Sequence, residues 1–136
     1  MKVLIDTNIV LDVLCNRQGL MEASRKVMQL CEVGKINGAL CTLSLVNISY
    51  IARKQLNRDQ IKEIVRQMGL IFHVEDLKQQ NLQRAVDSDM KDFEDAVQAE
   101  CARRIKAQYI VTRNIKDFTE SPVPAIKPEE LLERIL

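Results

Sequence analysis

The sequence predicts an α/β fold: a three-layer α/β/α sandwich around a central, mostly parallel sheet of four to five strands. Three observations carry this. Short unbroken apolar runs with a β-branched bias, such as Val3-Leu4-Ile5 and Tyr109-Ile110-Val111-Thr112, recur along the chain, which is how strands buried on both faces read. Longer segments with apolar residues at helical spacing lie between them. The two kinds alternate over the whole length, and that alternation folds as parallel strands covered on both faces by helices.

Val3–Ile5 is expected as the first strand, with Asp6 or Thr7 capping the helix that follows. Ile9, Val10, Val13 and Leu14 recur at helical spacing until Asn16-Arg17-Gln18-Gly19 breaks the pattern. Ala23, Val27, Met28, Leu30 and Cys31 mark a second helix, ended by Gly34. Gly38–Cys41 reads as a second strand, after which Thr42 or Ser44 opens a helix through Leu45, Ile48, Ala52 and Leu56. Beyond Asn57-Arg58-Asp59, an amphipathic helix carries Ile61, Ile64, Val65 and Met68; Gly69 is expected to stop it, and Leu70–Val74 to form a third strand. Asp76–Val86 is helical, with Leu77 and Leu82 among its apolar positions. Asp87-Ser88-Asp89 turns into a helix from about Asp92 to Lys106, whose buried stripe is Phe93, Ala96, Val97, Cys101 and Ile105. Tyr109–Thr112 is a further buried strand. Pro122–Ile126 suits a short edge strand, since proline cannot serve a central ladder, and Pro128 begins a terminal helix through Leu131, Leu132 and Ile135.

Composition sets bounds on function. A chain of 136 residues is expected to be one domain, residues 1–136, burying ~68–70% of its unfolded surface. With 46% hydrophobic residues and only 4 Gly and 3 Pro, it is globular. No apolar stretch approaches the ~20 residues of a membrane span, and no charged-apolar-small leader pattern opens the chain, so a cytoplasmic location is expected. Cys15, Cys31, Cys41 and Cys101 lack CxxC spacing and read as reduced, mostly buried thiols. The single histidine, His73, reads as a local hydrogen-bonding residue, so a zinc site is not expected. The 20 basic and 19 acidic residues leave a net charge of +1; a strongly basic nucleic-acid binder would show an excess, so any RNA contact needs a local basic rim.

The chemistry-bearing residues fall in three stretches. Asp6 stands at the carboxyl end of the first strand, where open parallel sheets place their ligands, although alone it reads equally as a helix N-cap. Asp12, a little further on, reads best as an exposed helical residue. Asp92 and Asp95 lie about 60° apart in helical projection, on one side of their helix. The helix dipole explains an acid at Asp92 better than at Asp95, which flanks the apolar stripe, and Glu94 falls on the opposite side in solvent. Asn114 and Asp117 follow the Tyr109–Thr112 strand, in a loop at the same sheet edge as Asp6. Carboxylates held ~3–5 Å apart repel unless protonated or neutralised, so such a cluster calls for a cation. Hard oxygen ligands without Cys or His favour magnesium or manganese.

Taken together, Met1-Lys2-Val3-Leu4-Ile5-Asp6-Thr7-Asn8, Asp92-Phe93-Glu94-Asp95-Ala96 and Ile110-Val111-Thr112-Arg113-Asn114-Ile115-Lys116-Asp117-Phe118 resemble the PIN-domain family in order and separation, over essentially the full chain. The resemblance implies a metal-dependent ribonuclease, most often the VapC-like toxin of a bacterial toxin–antitoxin pair. It implies that Asp6, Asp95 and Asp117 hold Mg²⁺ or Mn²⁺, that Asp92 joins the catalytic set by coordinating the ion or orienting its waters, and that metal-activated water hydrolyses an RNA phosphodiester. Arg53, Lys54, Arg113 and Lys116 are then placed to meet the RNA backbone, though each alone reads equally as a solvated charge. A homodimer is implied, as is an antitoxin whose peptide presents Arg or Lys to the carboxylates. One departure stands out: the family's glutamate near the start of the helix after the second strand aligns with Asn47, and Asn114 stands where many members carry aspartate. Asn47 and Asn114 offer oxygens as weak or indirect ligands but no negative charge. A catalytically weakened PIN domain that binds RNA or a partner protein is the alternative. A third reading, an aspartyl-phosphate phosphotransferase using Asp6 as nucleophile, would want an acid where Asn8 stands.

Overall fold

The computed structural model describes residues 1–135. Strand β1 (Lys2–Ile5) leads through α1 (Thr7–Leu14) and α2 (Met21–Glu32) to β2 (Asn37–Cys41). Helices α3 (Thr42–Ala52) and α4 (Arg58–Ile71) precede β3 (His73–Glu75); α5 (Gln79–Asp87) and α6 (Phe93–Arg104) precede β4 (Tyr109–Val111). A 3₁₀ turn (Ile115–Phe118), β5 (Ala125–Ile126) and α7 (Pro128–Ile135) complete the described chain.

The five strands pair in the order β3-β2-β1-β4-β5, every pair parallel. Side chains alternate between the faces of a strand, so a β1 whose Val3, Leu4 and Ile5 are all apolar and buried must be covered twice. Val3 and Ile5 pack with Val10, Val27, Ile48 and Leu131 on one face, whereas Leu4 joins Cys41, Ala99, Cys101, Ala102 and Ile110 on the other. The three-layer α/β/α arrangement expected from the sequence is thereby realised, with all five strands parallel. β2 and β4 flank β1 on opposite sides, so the topological switch point lies at β1, where the carboxyl ends of open α/β sheets form a crevice. Register places Ile5 beside Val111, and the Asp6 amide donates to the Val111 carbonyl at 2.9 Å. Asp6 and Thr112 therefore leave the sheet side by side.

Several sequence expectations are corrected. Gly69 does not stop α4; the helix continues to Ile71 and Leu70 is 77% exposed instead of lying in a strand. Gly69 lies on the exposed side of the helix, where a Cβ would meet nothing within 4 Å, and the chain turns extended only at the buried Phe72. Gly34, by contrast, ends α2 as expected, with φ +80°. Helix α5 starts at Gln79, later than Asp76. Phe93 is 52% exposed because Asp92 is the N-cap and the buried stripe begins one turn later, at Ala96. β5 lies at the sheet edge as its prolines require, and the Pro124 carbonyl accepts from the Ile110 amide at 2.9 Å. His73 is exposed, its Nε2 3.2 Å from Glu75. Cys31, Cys41 and Cys101 are buried free thiols, and no described helix is long and apolar enough to cross a membrane.

Asp12 is the sharpest departure, being fully buried rather than exposed. Arg113 donates through Nε to its carboxylate, Ser24 Oγ donates to it at 2.9 Å, and Arg17 stands at 3.4 Å. A charge removed from water must find such partners, and here they come from the α1–α2 connection, α2 and the segment after β4.

Candidate active site

Asp6 is 8% exposed and fills both roles that the sequence left open. As N-cap of α1 it accepts from the Thr7 amide at 2.7 Å; its other oxygen accepts from Thr112 Oγ1 at 2.7 Å and Asn8 Nδ2 at 3.2 Å. Burial raises its pKa above the usual carboxylate range, the bonds from Thr112 and Thr7 pull it back, and the charge of Asp117 raises it further. The Thr112 hydroxyl also accepts from the Asn114 amide at 3.1 Å, tying the loop after β4 to Asp6.

Asp92 caps α6 by accepting from the Asp95 amide at 2.9 Å. That fixes Asp95 in the first turn, half-buried, where its pKa rises to about 7. Burial is the main cause, followed by the charges of Asp92, Asp6, Asp117 and Glu94. Asp92, Asp95, Lys116 and Asp117 line one cleft of 570 Å³, with Asp89, Lys91 and Glu120 at its sides. The second and third sequence stretches therefore do meet. Asp6 does not line the cleft, but Asp95 feels its charge.

Other candidates lie elsewhere. Asn114 lines a neighbouring depression with Lys116, Asp117 and Lys127. Asn47 donates its amide to Glu94 Oε1 at 2.7 Å, so Glu94 is not simply solvated. Arg53 lies over the Tyr50 ring at 4.2 Å, and neither it nor the exposed Lys54 lines the cleft. Arg113 does not offer its guanidinium to an RNA backbone: besides Asp12, it donates to Glu129 Oε1 at 3.0 Å, the Leu20 carbonyl at 2.6 Å and Ser24 Oγ at 3.1 Å. It is a structural clamp.

Sequence reasoning missed Ser44, Gln98 and Thr112. Gln98 is 1% exposed; its Nε2 donates to Ser44 Oγ at 2.6 Å and lies 3.4 Å from Asp6 Oδ1. A lone amide inside the otherwise small and apolar run Ala96-Val97-Gln98-Ala99 was the available signal. Its Oε1 has no hydrogen-bond partner among the described residues; nor have Thr7 Oγ1 and Asn8 Oδ1 on the two residues after Asp6. Buried polar atoms without partners are rare in folded proteins, and their concentration around Asp6 fits a site that receives something polar.

In kind, the donor set fits a hard divalent cation: carboxylate oxygens, mutually repelling, with no cysteine or histidine lining the cleft. In geometry it is open, because among the described residues no three acids, cysteines or histidines approach as a ready-made group for an ion. Capture of a cation would require side-chain rotations at the cleft.

Comparison with known proteins agrees with this architecture. The family model described as PIN domain matches residues 2–116. No curated protein matches the chain significantly. Among solved structures, VapBC2 from Rickettsia felis bound to a DNA fragment from their promoter superposes with TM-score 0.72 at 16% identity, covering 93% of this chain and 98% of that one. DNA-bound VapBC from Salmonella typhimurium gives 0.71 at 18%, covering 94% and 98%. A toxin–antitoxin complex from Klebsiella pneumoniae gives 0.68 at 22%, covering 93% and 97%. At such identities the likeness speaks for the fold, and the match over residues 2–116 speaks for the lineage: the chain belongs to the PIN-domain family.

Proposed function

We propose that the chain is a divalent-metal-dependent endoribonuclease, the toxin of a toxin–antitoxin pair. The observation that carries this reading is the meeting of Asp92, Asp95 and Asp117 in one cleft beside the buried, hydrogen-bonded Asp6. Asp6, Asp95 and Asp117 would hold Mg²⁺ or Mn²⁺, with Asp92 beside them. Bound there, the ion would lower the pKa of a water and stabilise charge on the phosphoryl oxygens. Thr112 and Thr7 keep Asp6 aimed and ionisable, since their hydrogen bonds favour the charged carboxylate against its burial. Asp92 orients Asp95 by capping its amide. Lys116, in the cleft, is placed to meet a phosphate; Arg53 and Lys54, just beyond the C-terminal end of α3, would contact a longer strand. Asn114 would act through its loop, bonded to Thr112.

Solved structures of similar fold that are toxin–antitoxin complexes support an antitoxin partner. A basic side chain from such a partner would neutralise the cleft by a charge-assisted contact. A homodimer and a cytoplasmic location belong to the same reading. The test is cleavage of RNA with Mg²⁺ or Mn²⁺ by the wild type, Asp6→Asn and Asp95→Asn. Cleavage that survives both substitutions refutes the mechanism. Asn47 and the open geometry favour one second reading, a PIN domain that binds RNA or protein without cutting. RNA retention on a gel shift with no cleavage by any form would establish it.

A further inference from the structure

The cleft is larger than an ion needs. At about 30 Å³ a water, a cation with six waters fills about 200 Å³, whereas the cleft measures 570 Å³. Besides the acids and Lys116, its lining is completed by Asp89, Met90, Lys91, Thr119 and Glu120. Met90 is half-buried and packs against the cluster of Ala85, Ala96 and Val97. Its amide donates to Ser88 Oγ at 3.3 Å, and that hydroxyl donates to the Ala85 carbonyl at 2.9 Å, which fixes the approach to α6. Thr119 and Glu120 are the central residues of a turn closed by the Ser121 amide on the Phe118 carbonyl at 3.0 Å. Thr119 Oγ1 donates back to the Lys116 carbonyl at 2.9 Å, and the buried Phe118 and Val123 anchor the segment on either side. Glu120 is exposed and enters no ion pair among the described residues. One end of the cleft thus offers a fixed thioether surface and an unengaged carboxylate on a fixed turn.

That combination repels a phosphate and suits a nucleobase. A thioether packs well against an aromatic ring, and bases of single-stranded RNA are read by stacking and by hydrogen bonds to their edges. A carboxylate only accepts, through two oxygens. Guanine alone among the four RNA bases sets two donors, N1–H and the N2 amino group, side by side on one edge. Cytosine and adenine place a ring-nitrogen acceptor beside their amino group, and uracil holds a single N–H between two carbonyls. We propose that this end of the cleft is a guanine subsite, in which Glu120 accepts from both donors of the base and Met90 lies against its ring. The inference rests on the ribonuclease reading above and names the nucleotide at which the RNA is engaged.

The experiment is fluorescence anisotropy of the full chain with three short labelled oligonucleotides: all uridine, uridine with one central guanosine, and the same with inosine, which lacks the N2 amino group. Wild type and Glu120→Gln are compared in EDTA, and thermal melting of both confirms folding. The wild type is expected to bind the guanosine strand about tenfold more tightly than the inosine strand, as a bidentate pair does. Glu120→Gln, which has one acceptor oxygen in place of two, is expected to bind the two alike. Equal affinity of the wild type for guanosine and inosine overturns the subsite. A guanosine preference that survives Glu120→Gln overturns the role of Glu120. Cleavage of the guanosine strand is then sought with Mn²⁺: a guanosine preference lost in Glu120→Gln, but with no cleavage, supports the subsite and overturns the nuclease reading. Saturable binding of an arginine-containing peptide, with no oligonucleotide bound, gives this end of the cleft to a protein partner and overturns the inference.

Discussion

Replacing Asp95 by asparagine is expected to stabilise the protein while abolishing its proposed chemistry. Unfolded, the Asp95 carboxyl ionises near its ordinary value of 3.8; folded, burial and the surrounding acids hold its proton to about 7. The native state thus binds the extra proton, and the stability that it contributes, full below about pH 4, is lost as pH rises through about 7. The raw shift corresponds to about 4 kcal/mol. Solvent reaches this half-buried side chain and screens much of that, leaving about 1–2 kcal/mol at pH 8. An amide of the same shape removes the charge. With an unfolding entropy of about 2.1 cal/mol/K per residue, Asp95→Asn should raise Tm by about 3–7 °C at pH 8. Calorimetry in EDTA at pH 5 and pH 8 reads this directly: the gain should shrink at pH 5, where the wild-type carboxyl is protonated, and adding Mn²⁺ should raise the wild-type Tm only. A variant no more stable than the wild type at pH 8 in EDTA would refute the claim that burial, with the surrounding acids, makes the ionised Asp95 carboxylate costly in the folded state.

Arg113→Ala leaves the buried Asp12 with Ser24 and the more distant Arg17 only, and should cost about 3 kcal/mol in chemical denaturation. Arg113→Lys should recover little, since one ammonium cannot reach the acceptors that the guanidinium spans. Thr112→Val removes the hydroxyl between Asp6 and the Asn114 amide; urea melts should show a loss of about 1–3 kcal/mol, and RNA cleavage should fall more steeply than stability. Gly38→Ala should destabilise by about 1–3 kcal/mol, because its Cβ would sit 2.4 Å from Cys31 Sγ; Cys31→Ala in the same chain should return part of the loss.

β1 and β4 are legible in the sequence because Val3–Ile5 and Tyr109–Val111 are apolar without interruption, a pattern that suits little besides a strand covered on both faces, whereas β3, which reads His73-Val74-Glu75, has no such run to mark it. Asp6, Asp95 and Asp117 stand out as candidates because Asp6 follows β1, Asp95 lies in the first turn of α6 and Asp117 in the turn after β4. What escapes a linear reading depends on contacts between elements far apart in sequence. Asp12 looks like a surface residue until Arg113, about a hundred positions later, is brought against it. By the same contact Arg113 ceases to be a free cation. Gly69 reads as a stop because glycine commonly ends helices, yet its exposed position inside α4 costs only propensity, and Phe72 decides the boundary by burying itself. Glu94 reads as solvated from its helical face alone; periodicity says nothing of the course of α3 past α6, which is what pairs Glu94 with Asn47.

Arg113 fastens the segment after β4 to Asp12 on α1, Ser24 on α2 and Glu129 on α7. Asp117 hangs from that segment only four residues further on. Its placement is thus decided by helices whose outer surfaces never touch the cleft. A change at Glu129 or Ser24 that tilts the guanidinium will therefore be registered at Asp117, although neither residue lines the cleft.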